Sequence, residues 1–150
     1  MTSKRKNKWE KNTIGPKESL KQMTRLRAYL DGDLRIINLT PHVIQVDGMD
    51  GRELYIPRSG AELRISTKPT FPIDLGFTNI ETYEPDYNRL NIYFKRQGTR
   101  NLDGRLPTAA MLDRKFPNTY FLASRIAARY LAGYKRILVV GIPGLKEHQP

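Results

Sequence analysis

The stretch from Thr119 to Val140 constrains the fold more than any other part of the chain. Thr119-Tyr120-Phe121-Leu122-Ala123 is a compact apolar run of strand length. Ser124 follows, with a hydroxyl suited to capping a helix. Over Ser124–Ala132 the helical period places Ile126, Ala127, Tyr130 and Leu131 inward and Arg125 and Arg129 outward. Gly133 is a natural helix stop. Ile137-Leu138-Val139-Val140 is then continuously apolar, as expected of a strand covered on both faces. Strand, helix and strand in that order predict a right-handed crossover between parallel neighbours. A chain of 150 residues fits one domain, and 39% hydrophobic residues support a modest core. The expected class is α/β (α+β): a single domain over residues 34–150, with a mixed β-sheet and an added amino-terminal helix.

A second constraint lies at Ile36-Ile37-Asn38-Leu39-Thr40-Pro41-His42-Val43-Ile44-Gln45-Val46, two apolar strand segments broken by a polar step. Pro41 fixes its own φ and drives Thr40 into extended geometry. Asn38, Thr40 and His42 are therefore presented at a fixed kink beside a sheet edge. Such a kink suits a structural corner or a small polar ligand. Beyond it, Asp47-Gly48-Met49-Asp50-Gly51 predicts a hairpin turn, and Glu53 to Ile56 a short strand. Pro57-Arg58-Ser59-Gly60 predicts a tight turn, and Ala61 to Thr67 a half-buried strand by its period-two alternation. Residues 68–88 contain Pro69, Pro72 and Pro85 and resist assignment; Leu90–Lys95 reads as a strand, followed by a long loop through Gly98, Gly104, Pro107 and Pro117.

Charge is uneven. Residues 1–30 hold nine Lys or Arg against Glu10 and Glu18, net +7, so residues 31–150 supply only +4 of the total +11. Residues 1–14 are polar and without periodicity, which argues for a basic flexible arm. Residues 15–33 read as an amphipathic helix segment. Pro16 stands at a first helical position, and Leu20, Met23, Leu26 and Leu30 form a stripe over residues 17–30 that ends at Asp31-Gly32-Asp33. The chain has no cysteine, which removes disulfides and thiolate sites and fits a reducing cytoplasm. No apolar run approaches the roughly 18 residues a membrane helix needs, and the lysine-rich start lacks a signal-peptide core. A cytoplasmic location is expected.

In motif order the chain resembles a family of small proteins from phages and their bacterial hosts. The matching pieces are Asn38 to His42, the Pro57 to Gly60 turn, Ser66-Thr67, Leu106-Pro107, and Thr119 to Ser124 leading into an alanine-containing helix. The likeness spans about residues 35–141. The basic arm and helix of residues 1–30 look like an addition to that pattern. The family's charged Arg-Asp-x-x-Gly-Arg tail has no counterpart in Ile142 to Pro150. The order is also similar to that of phage anti-defence proteins that sequester cyclic nucleotide signals, such as those opposing Thoeris immunity. That likeness implies a non-catalytic sponge that oligomerises and holds a nucleotide between protomers.

The residues themselves favour binding over chemistry. The two histidines are His42 and His148, and no nucleophile signature surrounds Ser59, Ser66 or Ser124. No enzyme activity, cofactor or metal is expected. A phosphate-binding P-loop is absent. The candidate ligand-binding set is Asn38, Thr40, His42, Arg58, Ser59, Arg64, Ser66, Ser124 and Arg125. It combines the kink, the serine-glycine turn, one strand face and the amino end of the predicted helix. The rival is nonspecific contact with DNA or RNA through Lys4, Arg5, Lys6, Lys8, Trp9 and Lys11, with salt-sensitive affinity. A structural or assembly role in a phage, docking through the same arm, is a third reading.

Overall fold

A computed structural model describes residues 13–95, 101–129 and 134–148 of the chain. Its first half contains α1 (Pro16–Met23), β1 (Ala28–Asp31), β2 (Leu34–Asn38), β3 (Ile44–Asp47), β4 (Glu53–Ile56), β5 (Ala61–Pro69), β6 (Ile73–Asp74) and β7 (Asn79–Ile80). There follow β8 (Tyr83–Lys95), β9 (Asn101–Arg105), α2 (Ala109–Lys115), β10 (Thr119–Ala123), α3 (Arg125–Arg129), β11 (Ile137–Val139) and β12 (Leu145–Glu147).

The middle layer is a mixed sheet in the order β1-β2-β10-β11. Strands β1 and β2 form an antiparallel hairpin, β2 runs parallel to β10, and β10 runs parallel to β11. The parallel pair with α3 between its strands is the unit that the Thr119–Val140 pattern predicts. Side chains alternate across this sheet and are buried on both faces. On one face Ile36, Leu122 and Val140 pack with Ile44, Ile56 and Leu145 of the β12-β3-β4 sheet. On the other, Ile37, Phe121 and Ala123 pack with Ala61, Leu63, Ile92 and Phe94 of the β5-β8-β9 sheet. Met23 of α1 and Leu112 of α2 close that second cluster. Each such aliphatic or aromatic side chain contributes about 1.5–3 kcal/mol on burial, so the two clusters fix the three layers.

Several expectations are corrected. The amino-terminal helix stops at Met23, not Leu30, and Ala28–Asp31 is a strand paired with Leu34–Ile37. The helical spacing of Leu26 and Leu30 is overridden by that hairpin, and Leu30 is exposed. Residues 15–33 are thus helix, turn and strand within the same body, not a separate helical segment. The unassigned residues 68–88 form the outer end of one long hairpin between β5 and β8, with β6 and β7 near its tip. The expected loop after Lys95 contains β9 and α2. Helix α2 is capped by Thr108, whose side chain accepts from Met111 N–H at 3.2 Å. In α3, Ala127 points inward as expected but Ile126 is 62% exposed. Residues 130–133 of the predicted helix and its stop lie outside the described residues.

Candidate functional site

Asn38 ends β2 and organises the kink that follows. Its Oδ1 accepts from Thr40 N–H at 3.0 Å and from Thr40 Oγ1 at 2.7 Å. Its Nδ2 donates to the carbonyl of His42 at 2.7 Å and to that of Ile56 at 3.2 Å. Two acceptor and two donor positions are all an amide has, so Asn38 has none left for a ligand. Ser59 is equally committed. Its hydroxyl donates to the carbonyl of Asn38 at 2.6 Å and accepts from Ala61 N–H at 3.3 Å. Asn38, Thr40 and Ser59 are all buried and clamp the end of β2 to the Pro57–Gly60 turn. These three shape the site from below.

That turn is also where distant segments meet. Arg27 N–H donates to the carbonyl of Ser59 and Lys95 N–H to that of Gly60, each at 3.0 Å. Gly60 has a φ of +105°, a conformation open to glycine but strained for other residues. The result is a cleft of about 540 Å³ lined by Arg27, Arg58, Lys95, Thr40, Gly60 and Glu62, among others. Lys95 Nζ lies 3.8 Å from Glu62 Oε1. Among the described residues neither Arg27 nor Arg58 has a carboxylate within ion-pair distance. Three cations therefore face one carboxylate.

A second cleft of about 730 Å³ adjoins it through Thr40 and Glu62. Its walls are mainly apolar, with Leu39, Pro41, Leu63, Ile65 and Ile126, and they include His42, Arg64, Ser124 and Arg125. The polar groups here are already engaged. The Arg64 guanidinium sits 3.6 Å from the centre of the Tyr93 ring and 3.6 Å from Asp103 Oδ1. Arg125 reaches the carbonyl of Gly141 at 3.5 Å, and His42 stands 3.7 Å from Glu147 at the rim. Ser124 caps α3, its hydroxyl accepting from Ala127 N–H at 3.3 Å. At this helix end the Ser124 hydroxyl is spent on the cap, and the described helix is five residues long. Ser66 lines neither cleft and accepts from Asn91 Nδ2 at 3.1 Å.

The structure thus brings Thr40, His42, Arg64, Ser124 and Arg125 to one cleft and Thr40, Arg58 and Ser59 to its neighbour. Asn38 lies beneath both. Sequence reasoning did not place Arg27, Lys95 or Glu62 in a ligand site. Arg27 and Lys95 are 68 positions apart and share only a turn, so no local pattern announces them. The arm residues Lys4, Arg5, Lys6, Lys8, Trp9 and Lys11 lie outside the described residues. Among the described residues no three His, Cys, Asp or Glu converge as a metal site, and no helix is long and apolar enough to cross a membrane. Away from the clefts, burial and the nearby Asp113 push the phenol of Tyr134 up, while its hydroxyl donates to the carbonyl of Pro107. No family model, curated protein or solved structure matches the chain.

Proposed function

We propose that the protein binds a nucleotide-type or other phosphorylated ligand and leaves it chemically unchanged. The observation that carries this reading is the meeting of Arg27, Arg58 and Lys95 on one glycine turn beside an apolar-walled cleft. Guanidinium and ammonium groups suit phosphate oxygens, and Arg58 can offer a bidentate fork. The adjoining apolar walls suit a base or ring. Each cleft falls within the usual 300–1,000 Å³ of small-molecule sites. A non-catalytic role is supported by the serine hydroxyls: Ser59, Ser66 and Ser124 all hydrogen-bond within the fold, to partners other than the His42 imidazole. Together with the resemblance to phage families, this supports our reading of the protein as an accessory factor of the host cytoplasm that sequesters a nucleotide signal.

Thermal shift with ADP-ribose derivatives and cyclic dinucleotides tests the proposal. Ligand at a hundredfold excess over its Kd adds about 2.7 kcal/mol, a rise of about 5–10 °C for a chain of this size. Arg58→Ala is expected to weaken binding about tenfold or more without lowering the melting point of the free protein. No shift with any compound of this class, or turnover of one by homogeneous protein, defeats the proposal.

The high positive charge of residues 1–30 favours a second reading, nonspecific nucleic-acid contact through the arm. The absence of a gel shift at low salt would dispose of it.

A further inference from the structure

The two clefts share Thr40 and Glu62. The Thr40 hydroxyl is spent within the kink, donating to Asn38 Oδ1 at 2.7 Å and accepting from His42 N–H at 3.3 Å. Glu62 is differently placed. It stands on β5 opposite Tyr93 of β8, and its side chain is 18% exposed. Among the described residues its carboxylate meets Lys95 Nζ at 3.8 Å, which is beyond hydrogen-bond range. A carboxylate has about four acceptor positions and, ionised, no donor. Most of those positions are therefore open to whatever fills the clefts.

Position gives that carboxylate a meaning. On one side of it Arg27, Arg58 and Lys95 suit phosphate, and on the other the apolar walls of the second cleft suit a ring. A ligand that fills both clefts passes Glu62. The group at that point is not a phosphate, which a carboxylate repels. Nor is it an apolar linker, which would strip water from the carboxylate and return no donor. It is neutral and carries hydrogen-bond donors. In a ribonucleotide the unit between ring and 5′-phosphate is a ribose, which presents two adjacent hydroxyls.

We infer that Glu62 accepts hydrogen bonds from the ribose hydroxyls of the ligand and so selects ribonucleotides over their deoxy forms. A site that hydrogen-bonds a hydroxyl rejects the analogue lacking it, because its own polar group is then left unpaired. The inference rests on the nucleotide reading of the two clefts and adds the sugar, and the residue that reads it, to that reading.

Titration calorimetry on the full chain tests it. The probes are the 5′-diphosphates of adenosine, guanosine, cytidine and uridine, each beside its 2′,3′-dideoxy form, and inorganic pyrophosphate. For the base that binds, the wild type is expected to hold the ribose form about tenfold or more tighter than the dideoxy form, the usual effect of losing a hydrogen bond to a charged group. Glu62→Ala is expected to weaken the ribose form and bring that ratio to about one, with Glu62→Gln between the two. Pyrophosphate has no sugar, so both variants should bind it at least as well as the wild type does, a repelling charge having been removed. Equal wild-type affinity for the ribose and dideoxy forms overturns the inference and leaves the nucleotide reading standing. A ratio unchanged in Glu62→Ala overturns the assignment to Glu62. Loss of pyrophosphate binding in both variants also overturns it, since Glu62 would then act by seating Lys95. A wild type that binds none of the diphosphates in either sugar form defeats the nucleotide reading, and this inference with it.

Discussion

Asn38 and Arg58 were both candidate ligand contacts, and the structure places them differently: Asn38 is buried, while Arg58 is exposed and lines a cleft. All four hydrogen-bonding positions of Asn38 are filled by Thr40, His42 and Ile56. Removing its amide leaves the buried Thr40 N–H without its acceptor and takes a donor from the Ile56 and His42 carbonyls, which costs more than the bonds are worth in isolation. Asn38→Ala is therefore expected to destabilise the fold by about 2–4 kcal/mol, read from urea unfolding. Any loss of ligand affinity should be recovered at low temperature, where the variant is folded. Arg58→Ala should show the reverse, with unfolding unchanged and binding impaired. At this scale the polar kink was legible because Pro41 and the Asn-x-Thr spacing act locally. Arg27 and Lys95 were not, because their meeting is created by main-chain bonds from two remote segments to Ser59 and Gly60.

Elements were legible where local pattern and tertiary demand agree. β10, α3 and β11 follow their sequence signals because the strands are apolar and one capping serine divides strand from helix. The β5–β8 hairpin was hidden by its prolines, which normally argue against a strand. Pro69 pairs with Tyr83 and Pro85 with Thr67 in a ribbon whose two strands are both edges, so a missing N–H can face solvent at no cost. β9 was hidden differently, since Gly104 looks like a loop residue. A Cβ built there would lie 2.4 Å from Ser19 Oγ and 3.1 Å from Phe94. The glycine is needed so that α1 can sit against the strand, and Ser19 is fully buried beneath it. Gly104→Ala is expected to cost about 1–3 kcal/mol by overpacking. A melting point equal to wild type would mean that α1 is not seated as described.

For the whole molecule, the boundary between arm and body decides how the two functional readings can be separated. Ile14 accepts from Arg105 N–H and donates to the carbonyl of Asp103, each at 3.0 Å, so it lies alongside β9 as part of the body. Met23 is fully buried, β1 is a strand of the central sheet, and Arg27 lines the cationic cleft. Deleting residues 1–30 would strip core and site together, and loss of either activity would then say nothing about the arm. Deleting residues 1–12 instead removes Lys4, Arg5, Lys6, Lys8 and Lys11 with Glu10, which lowers the net charge from +11 to +7. This shorter deletion is expected to keep the wild-type melting point and nucleotide-type binding. If the arm contacts nucleic acid, it should lose that affinity and flatten the log K against log salt slope by about 4. Filter binding across a salt series measures both quantities. An unchanged slope would place nucleic-acid contact on the body, and abolished nucleotide binding would extend the ligand site into the arm.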